Sequence, residues 1–344
     1  MAPNSLVSYT IRDVARIAGV SPGTVSRVLN DSHLVSEATR VRVLEVVSRL
    51  NYKPNLLARR LSLGKTLTIA VIVPFFTRPS VVERLNGIVS TLAESQYDLV
   101  IHNVETPAQR DYCFREIPHR ERVDGVLIIS LSPRNEDIQA LTSADVPIVL
   151  VDANHIGLDG LNRVVVDDVA GGQMAVQYLV ELGHRRIGFI GDFLANPFNF
   201  TSSRDRFAGY RQTLEMHNLP FDPKYFAEDQ HDRYAAFLLA QKILSLPQPP
   251  TAIFAASDTQ AMGVLQAARE SGWQVPKDLS VIGYDDIEVA EYLGMTTIRQ
   301  LLFESGQRGV ELLLAALENP ASPAVLEVLP NDLIIRSTTA PPNQ

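Results

Sequence analysis

A single cysteine, Cys113, excludes any disulfide within this chain and fits a reducing compartment. No run of 18 apolar residues occurs, so no transmembrane helix and no membrane partner are expected. The first twenty residues, MAPNSLVSYTIRDVARIAGV, lack the uninterrupted apolar stretch of a secretion signal. The expectation is a cytoplasmic protein. No GxGxxG follows any strand-like run, and GVSPGTVS lacks the lysine of a phosphate-binding loop. His102, His155, His217 and His231 show no metal-ligand spacing, and no catalytic pair stands out. These absences point away from an enzyme and from a cofactor or metal.

What is present is ordinary globular composition, 46% hydrophobic and 20% charged over 344 residues, enough for two or three compact units. The net charge of −8 is unevenly spread. Residues 1–65 carry ten basic and four acidic side chains, a charge of +6, which leaves −14 on the remainder. A basic head on an acidic body suggests a polyanionic partner for the head alone, unless the basic surface is simply solvated.

Three helical patterns fit the head. In TIRDVARIAG, Thr10 and Asp13 are spaced as a capping box and Gly19 ends the helix. In SPGTVSRVLN, Ser21 is an N-cap and Pro22 occupies the first helical position, where a missing N–H costs nothing. Val25, Val28 and Leu29 fall on one buried face. The opposite face carries Pro22, Gly23, Thr24, Ser26, Arg27 and Asn30. A third helix runs from about Ser36 to Asn51 on a stripe of Val43, Val46, Val47 and Leu50. Helix, three-residue turn, helix is the geometry of a helix-turn-helix, whose second helix offers its N-terminal residues to the major groove. A generic three-helix unit is the plainer alternative. Next, NYKPNLLARRLSLGK (51–65) reads as a short helix starting at Asn55. It is too short to hold alone, so it would fold against its copy in a dimer or against DNA, or else serve as a linker.

From Leu67 the chain alternates β and α. Strand-like runs cover 66–74, 97–104, 124–130, 146–152, 163–168, 185–192, 251–257 and 279–286, with amphipathic helices between. That pattern means parallel sheets covered on both faces. In such sheets ligands sit at the carboxyl ends of strands. Asp152, Ser257, Asp258 and Asp285 stand at those ends, and Arg206 lies at a helix start. Such groups can satisfy sugar hydroxyls, since each unpaired buried polar group costs roughly 1–3 kcal/mol. Asp258 could equally cap the following helix. His184 reads as a helix C-terminal residue satisfying carbonyls.

TIRDVARIAGVSPGTVSRVLN and VSEATRVRVLEVVSRLNYKPNLLARRL, followed by RVDGVLIIS, RDRFAGY, PTAIFAASDTQAMGVLQAARESGWQVPKDLSVIGYDD and TTIRQ, together resemble the LacI/GalR family of bacterial transcription regulators, over essentially residues 9–339. The resemblance implies an α/β protein: an all-α helix-turn-helix head (1–52), a hinge helix and linker (53–65), and a periplasmic-binding-protein-like core (66–344) of two parallel-sheet lobes. Lobe 1 would span about 66–163 and 294–327, and lobe 2 about 164–293 and 328–344, with crossings near 163, 294 and 327. It implies a homodimer on a near-palindromic double-stranded operator. The short, proline-rich APPNQ (340–344) favours a dimer over a coiled-coil tetramer. In the head, Arg27 is expected to read a base, with Thr10, Ser21 and Thr24 positioning phosphates. In the hinge, Asn55, Ala58, Arg59 and Leu61 are expected at the minor groove, Leu61 as a wedge between base pairs.

In the core the resemblance assigns Arg206, Asp285, Asp152, Ser257 and Asp258 to a small effector, a sugar or sugar derivative, bound between the lobes. An ion pair between lobes is the alternative for Arg206 and Asp285. The implied function is an effector-controlled repressor, with an activator or corepressor-dependent repressor, or a solute-binding protein, as alternatives. The chain departs from the family after its first strand, where FFTRPSVVERL puts Ser80 and Val81 at the places of a usual aromatic pair. Phe75, Phe76, Phe198 and Phe200 are the candidate replacements.

Overall fold

The computed structural model describes residues 9–29, 32–52, 64–155 and 157–343. The chain divides into two compact units, Met1–Thr66 and Leu67–Gln344. Asn30 and the hinge positions Asn55, Ala58, Arg59 and Leu61 lie outside the described residues.

The first unit contains α1 (Ile11–Ala18), α2 (Pro22–Leu29) and α3 (Glu37–Arg49). The capping box forms as the spacing predicts: Asp13 N donates to Thr10 Oγ1 at 3.4 Å, and Thr10 N donates to Asp13 Oδ2 at 3.0 Å. Gly19 closes α1 in the left-handed conformation (φ 65°), a region that costs other residues more. Val14, Ala15, Ala18, Val25, Val28, Val43 and Val46 form the core of the unit, with Leu29, Val47 and Leu50 packed around it.

The second unit holds two six-stranded sheets. Their elements, in chain order, are β1 (Thr68–Pro74), α4 (Pro79–Leu92), β2 (Asp98–Val104), α5 (Pro107–Glu116), β3 (Gly125–Ile129), α6 (Asn135–Thr142), β4 (Ile148–Val151) and β5 (Asn162–Val166). Then follow α7 (Asp168–Glu181), β6 (Ile187–Asp192), α8 (Ser202–Met216), β7 (Phe226–Asp229), α9 (Arg233–Leu244), β8 (Ala252–Ala255), α10 (Asp258–Glu270) and β9 (Ser280–Asp285). The chain ends with α11 (Glu288–Tyr292), β10 (Thr296–Gln300), α12 (Leu302–Glu318), β11 (Leu326–Leu329) and β12 (Asn331–Ile334).

The sheet orders are β11-β5-β4-β3-β1-β2 and β12-β10-β9-β8-β6-β7. All pairings are parallel except β12 against β10. The continuous apolar runs follow from burial on both faces. In β1, Ala70 and Ile72 face one core cluster while Ile69, Val71 and Val73 face the other. In β8, Ile253 and Ala255 alternate with Ala252 and Phe254 in the same way.

The crossings between lobes fall a few residues later than expected. β5 pairs with β4 in the first sheet and stays there through Val166. β10 pairs with β9 in the second, so the chain returns only after Gln300. The last passage separates β11 from β12 at Pro330. Backbone pairing decides these limits, and a strand remains in its sheet until its hydrogen bonds end. The same chain terminus therefore completes both sheets.

Each lobe seats a helix against a neighbour at a glycine contact. α4 crosses α12 and α7 crosses α8. A methyl group at Gly306 would collide with the carbonyl oxygen of Arg84, and one at Gly172 with that of Arg206. Two arginines are thus anchored by their own backbones at close crossings.

Candidate functional site

In the first unit the exposed face of α2 is the candidate nucleic-acid surface. Val25 and Val28 are buried, whereas Ser21, Pro22, Gly23 and Arg27 are exposed and Thr24 and Ser26 are half-buried. Ser21 Oγ accepts from Thr24 N at 3.1 Å and meets Thr24 Oγ1 at 3.0 Å, so the Ser21 hydroxyl caps the helix and the Thr24 hydroxyl is bonded to it. Thr10 Oγ1 likewise donates to Asp13 Oδ2 at 2.8 Å. A Cβ at Gly23 would touch only Ser21 Oγ. Packing therefore does not demand the glycine, and its effect is to leave bare backbone at the helix tip. The Arg27 guanidinium has no ion-pair or hydrogen-bond partner among the described residues.

In the second unit a cleft opens between the carboxyl ends of the two sheets. Ser80, Asp152, Arg206 and Asp285 line it; Ser257 and Asp258 do not. Ser257 caps α10 through Gln260 N at 3.2 Å. Asp258 is fully buried, accepting from Thr297 Oγ1 at 2.6 Å and from Ile287 N at 3.0 Å. It ties the segment before α11 to β10. Its position inside the second lobe, behind the strand end, explains why a strand-end rule alone selects it.

Several strand ends leave β1, β3, β4 and β9 through non-glycine residues at positive φ: Phe75 (44°), Ser130 (54°), Asp152 (55°) and Asp285 (114°). Such backbones cost of order 1–3 kcal/mol each and cluster where side chains must be aimed. Here they turn Ser130, Asp152 and Asp285 into the cleft. Ser130 Oγ donates to Asp152 Oδ2 at 2.7 Å, and Arg84 Nη2 lies 3.1 Å from the same oxygen. Arg84 Nη2 also donates to Gln300 Oε1 at 2.9 Å, and Gln300 Nε2 donates to Asp285 Oδ1. Arg206 reaches Asp168 Oδ1 through Nε at 2.8 Å, Asp285 Oδ1 through Nη1 at 3.5 Å and the Ala256 carbonyl at 2.6 Å. Its guanidinium stacks 3.6 Å from the centre of the Tyr284 ring.

A continuous polar chain, Asp152–Arg84–Gln300–Asp285–Arg206–Asp168, therefore joins the lobes. The Arg206–Asp285 pair is internal to lobe 2, and the link between lobes is Arg84–Gln300. A second link is the segment before α8. Asn199 Nδ2 donates to the Ser132 and Pro133 carbonyls at 3.1 Å, and Phe198 and Phe200 pack on the lobe 1 core. Of the four aromatic candidates only Phe200 lines the cleft; Phe75 meets Phe198 edge to face, and Phe76 is exposed.

The sequence reading missed Arg78, Arg84, Ser130, Asp192 and Gln300, which line the cleft together with His231, one of two residues (with Gln230) at the place of a usual family aromatic. Ser130, Asp192 and Gln300 stand at strand ends, where the rule that found Asp152 applies. Arg84 had a different signal. It falls three residues after Val81, on the stripe that also buries Leu85, Ile88 and Leu92, and an arginine there is a buried charge. His231 Nδ1 lies 3.0 Å from Asp192 Oδ1, which also accepts from Gln260 Nε2 at 2.8 Å. His184 satisfies a carbonyl, but that of Ala340 at 2.9 Å rather than one of its own helix.

The free volume at the centre of the cleft is about 50 Å³, against roughly 300–1,000 Å³ for common small-molecule pockets. A sugar-sized ligand must part the lobes or displace side chains to enter.

Two carboxylates share the one Arg206 cation, leaving negative charge in excess in a desolvated place. Burial raises the pKa of Asp168 to about 6, with Arg206 opposing. Burial likewise raises Asp258 and Asp285. Asp192 is held low instead, because His231, Arg78 and Arg206 outweigh its burial. Between pH about 4 and 6 the folded Asp168 retains a proton that the unfolded chain has released, so stability falls as pH rises through that window. We expect the melting temperature of the ligand-free core to rise as pH is lowered from 7 to 5.5. Asp168→Asn should flatten that slope in differential scanning calorimetry; an unchanged slope would assign it to other groups.

Comparison with known proteins places these two features together. The profile of "Bacterial regulatory proteins, lacI family" matches residues 10–55, and that of a "Periplasmic binding protein-like domain" matches residues 176–339. The chain is 36% identical to the ribose operon repressor of Escherichia coli over 317 residues, covering 90% of this chain and 94% of that protein. It is 34% identical over 336 residues to the HTH-type transcriptional repressor PurR of Vibrio parahaemolyticus, covering 96% and 98%. Among solved structures it is similar to the lac repressor dimer bound to operator and the anti-inducer ONPF, with a TM-score of 0.85 and 29% identity over 97% of this chain and 99% of that one. It is also similar to a LacI family transcriptional regulator from Enterococcus faecium with bound ribose, with a TM-score of 0.70 and 27% identity over 80% and 99%.

Proposed function

Because the chain belongs to the lacI family of bacterial regulatory proteins, we infer that it is a transcriptional repressor whose hold on an operator is set by a small effector in the interlobe cleft. The single observation that carries this reading is the pairing of two features in one chain. One is a helix-turn-helix with an exposed Arg27 whose guanidinium has no partner among the described residues; the other is a cleft where polar side chains of two lobes converge. The relatives named for operator and ribose support DNA and a sugar as the two ligands.

In this reading a homodimer places two α2 helices on a near-palindromic site, with Pro22, Gly23 and Arg27 at the base edges. Ser21, Thr24 and Ser26 lie beside the phosphates. The hinge residues Asn55, Ala58, Arg59 and Leu61 take the minor groove between them. Ser80, Asp152, Arg206 and Asp285 bind the effector, joined by Arg84 and Gln300, while Ser257 and Asp258 brace the lobe behind it. The cleft is read as a binding site rather than a catalytic one, and the protein as cytoplasmic; no described helix is long and apolar enough to cross a membrane.

A ligand can change operator affinity only by binding the two lobe arrangements unequally. The Arg84–Gln300 link is what it would remake. The test is selection of bound genomic fragments, followed by anisotropy titration of the enriched site with and without sugars. The expected preference over random DNA is roughly 10³ or more, altered at least tenfold by one sugar. A preference below tenfold, or a site indifferent to every sugar bound, would overturn the reading.

A further inference from the structure

Although Asp168 and Asp285 together outnumber Arg206, one cation in the cleft stands apart from the carboxylates. Asp152 is engaged by Arg84 and Ser130, Asp285 by Arg206 and Gln300, and Asp192 by His231 and Gln260. The Arg78 guanidinium lines the same cleft, yet it has no carboxylate at ion-pair distance and no hydrogen bond among the described residues. Its contacts are the Phe75 ring at 4.2 Å and the Phe200 ring at 5.7 Å. Those rings fix its position, and Asp192, the carboxylate that acts on it electrostatically, stands beyond ion-pair distance and is itself bonded to His231 and Gln260. Arg84, only 2% exposed, also leaves its Nε without a hydrogen-bond partner, an arrangement that costs energy until something accepts from it.

The backbone adds positive potential beside Arg78. α4 begins beside Arg78 and α8 beside Thr201, and neither N-cap side chain bonds the first turn of its helix. Ser80 and Val81 from the first turn of α4, and Ser202 and Ser203 from that of α8, line the cleft. Two uncapped helix N-termini, one from each lobe, thus bring their partial positive charge to the place where Arg78 stands.

We propose that the effector is an anionic carbohydrate, a sugar acid or sugar phosphate, whose charged group is held by Arg78 between the N-termini of α4 and α8. The paired carboxylates are then left to receive the hydroxyls. A guanidinium matches a carboxylate or phosphate in a bidentate manner, which adds direction as well as strength. The proposal rests on the reading of this cleft as the effector site.

The test is isothermal titration of the full-length protein with a panel of aldonates and aldose phosphates, among them D-gluconate and D-ribose 5-phosphate, each beside its neutral parent sugar. At least one anion is expected to bind tenfold or more tightly than its parent and to shift operator affinity. Comparison of the carboxylate and phosphate arms identifies the group. Arg78→Gln should reduce that preference to within threefold, and Arg78→Lys should restore much of it. Circular dichroism melts of both variants establish that they fold. If a neutral sugar binds as tightly as its anion and shifts operator affinity, the proposal is overturned while the effector reading stands. The same holds if Arg78→Gln keeps the preference. If sugars of neither kind bind or shift operator affinity, the effector reading falls too.

Discussion

Replacing Arg206 with alanine is expected to destabilise the core by about 3–5 kcal/mol at pH 8 and by far less at pH 5, the magnitude following from removal of one member of a buried charge cluster. Among the described residues Arg206 is the only cation touching both Asp168 and Asp285, and all three side chains are nearly excluded from solvent. Without it, two carboxylates face each other in a poorly hydrated place. At high pH both must stay charged or the lobe must open. At low pH they take protons, which burial already favours, and only the lost stacking on Tyr284 and the Ala256 contact remain as costs. The measurement is urea unfolding at both pH values, followed by tryptophan fluorescence. Trp273, the sole tryptophan, packs on a core cluster of the same lobe. A loss independent of pH would assign the role of Arg206 to packing and not to charge.

Arg27→Ala is expected to weaken binding to the preferred site by about 1–3 kcal/mol for each α2 engaged, the worth of a bidentate arginine–guanine contact. Affinity for random DNA should change little. The logic is geometric. At the tip of α2, Pro22 and Gly23 offer no side-chain donor or acceptor, and the Ser21 and Thr24 hydroxyls are committed to each other. Arg27 is the long donor left on that face. Anisotropy titrations of specific and random duplexes over a range of salt separate the two roles. If both affinities fall equally and the salt slope shrinks by about one, Arg27 holds a phosphate and does not read a base.

How far the sequence carries can be judged element by element. The starts of α1 and α2 and the end of α1 were legible to the residue, because their signals are local: Thr10 with Asp13, Gly19, and Pro22 behind Ser21; α3 ends at Arg49, two residues before the expected Asn51. Seven of the eight strand runs read were legible because two-sided burial leaves an unbroken apolar stretch; the eighth, β2, is an edge strand that exposes Val100 and Ile101 and was marked by its apolar composition alone. β7, β10, β11 and β12 were not read as strands. Three of them, β7, β11 and β12, lie at sheet edges, and β11 exposes Leu326 and Val328; β10 is interior and buried, but its run TTIRQ is mostly polar. In the cleft, strand-end carboxylates were found by position, but position could not separate Asp152, which faces the cleft, from Asp258, which turns back to Thr297. That distinction depends on which neighbour accepts the side chain, and those neighbours are distant in sequence. Gln300 and Arg84, 216 residues apart, meet only once both lobes are assembled.

The placement of β11 and β12 has a consequence for the order of synthesis. A chain emerging from the ribosome has the three helices of its head in hand after about fifty residues, and units generally fold as they appear. Neither sheet of the core can be finished until residues 326–334 arrive, because one edge strand of each is drawn from that stretch. α12, which covers one face of the first sheet, arrives only shortly before. The nascent protein thus holds a DNA-reading head long before it holds a controllable one. A premature stop between Gln300 and Leu326 would leave both sheets without an edge strand, with the head intact.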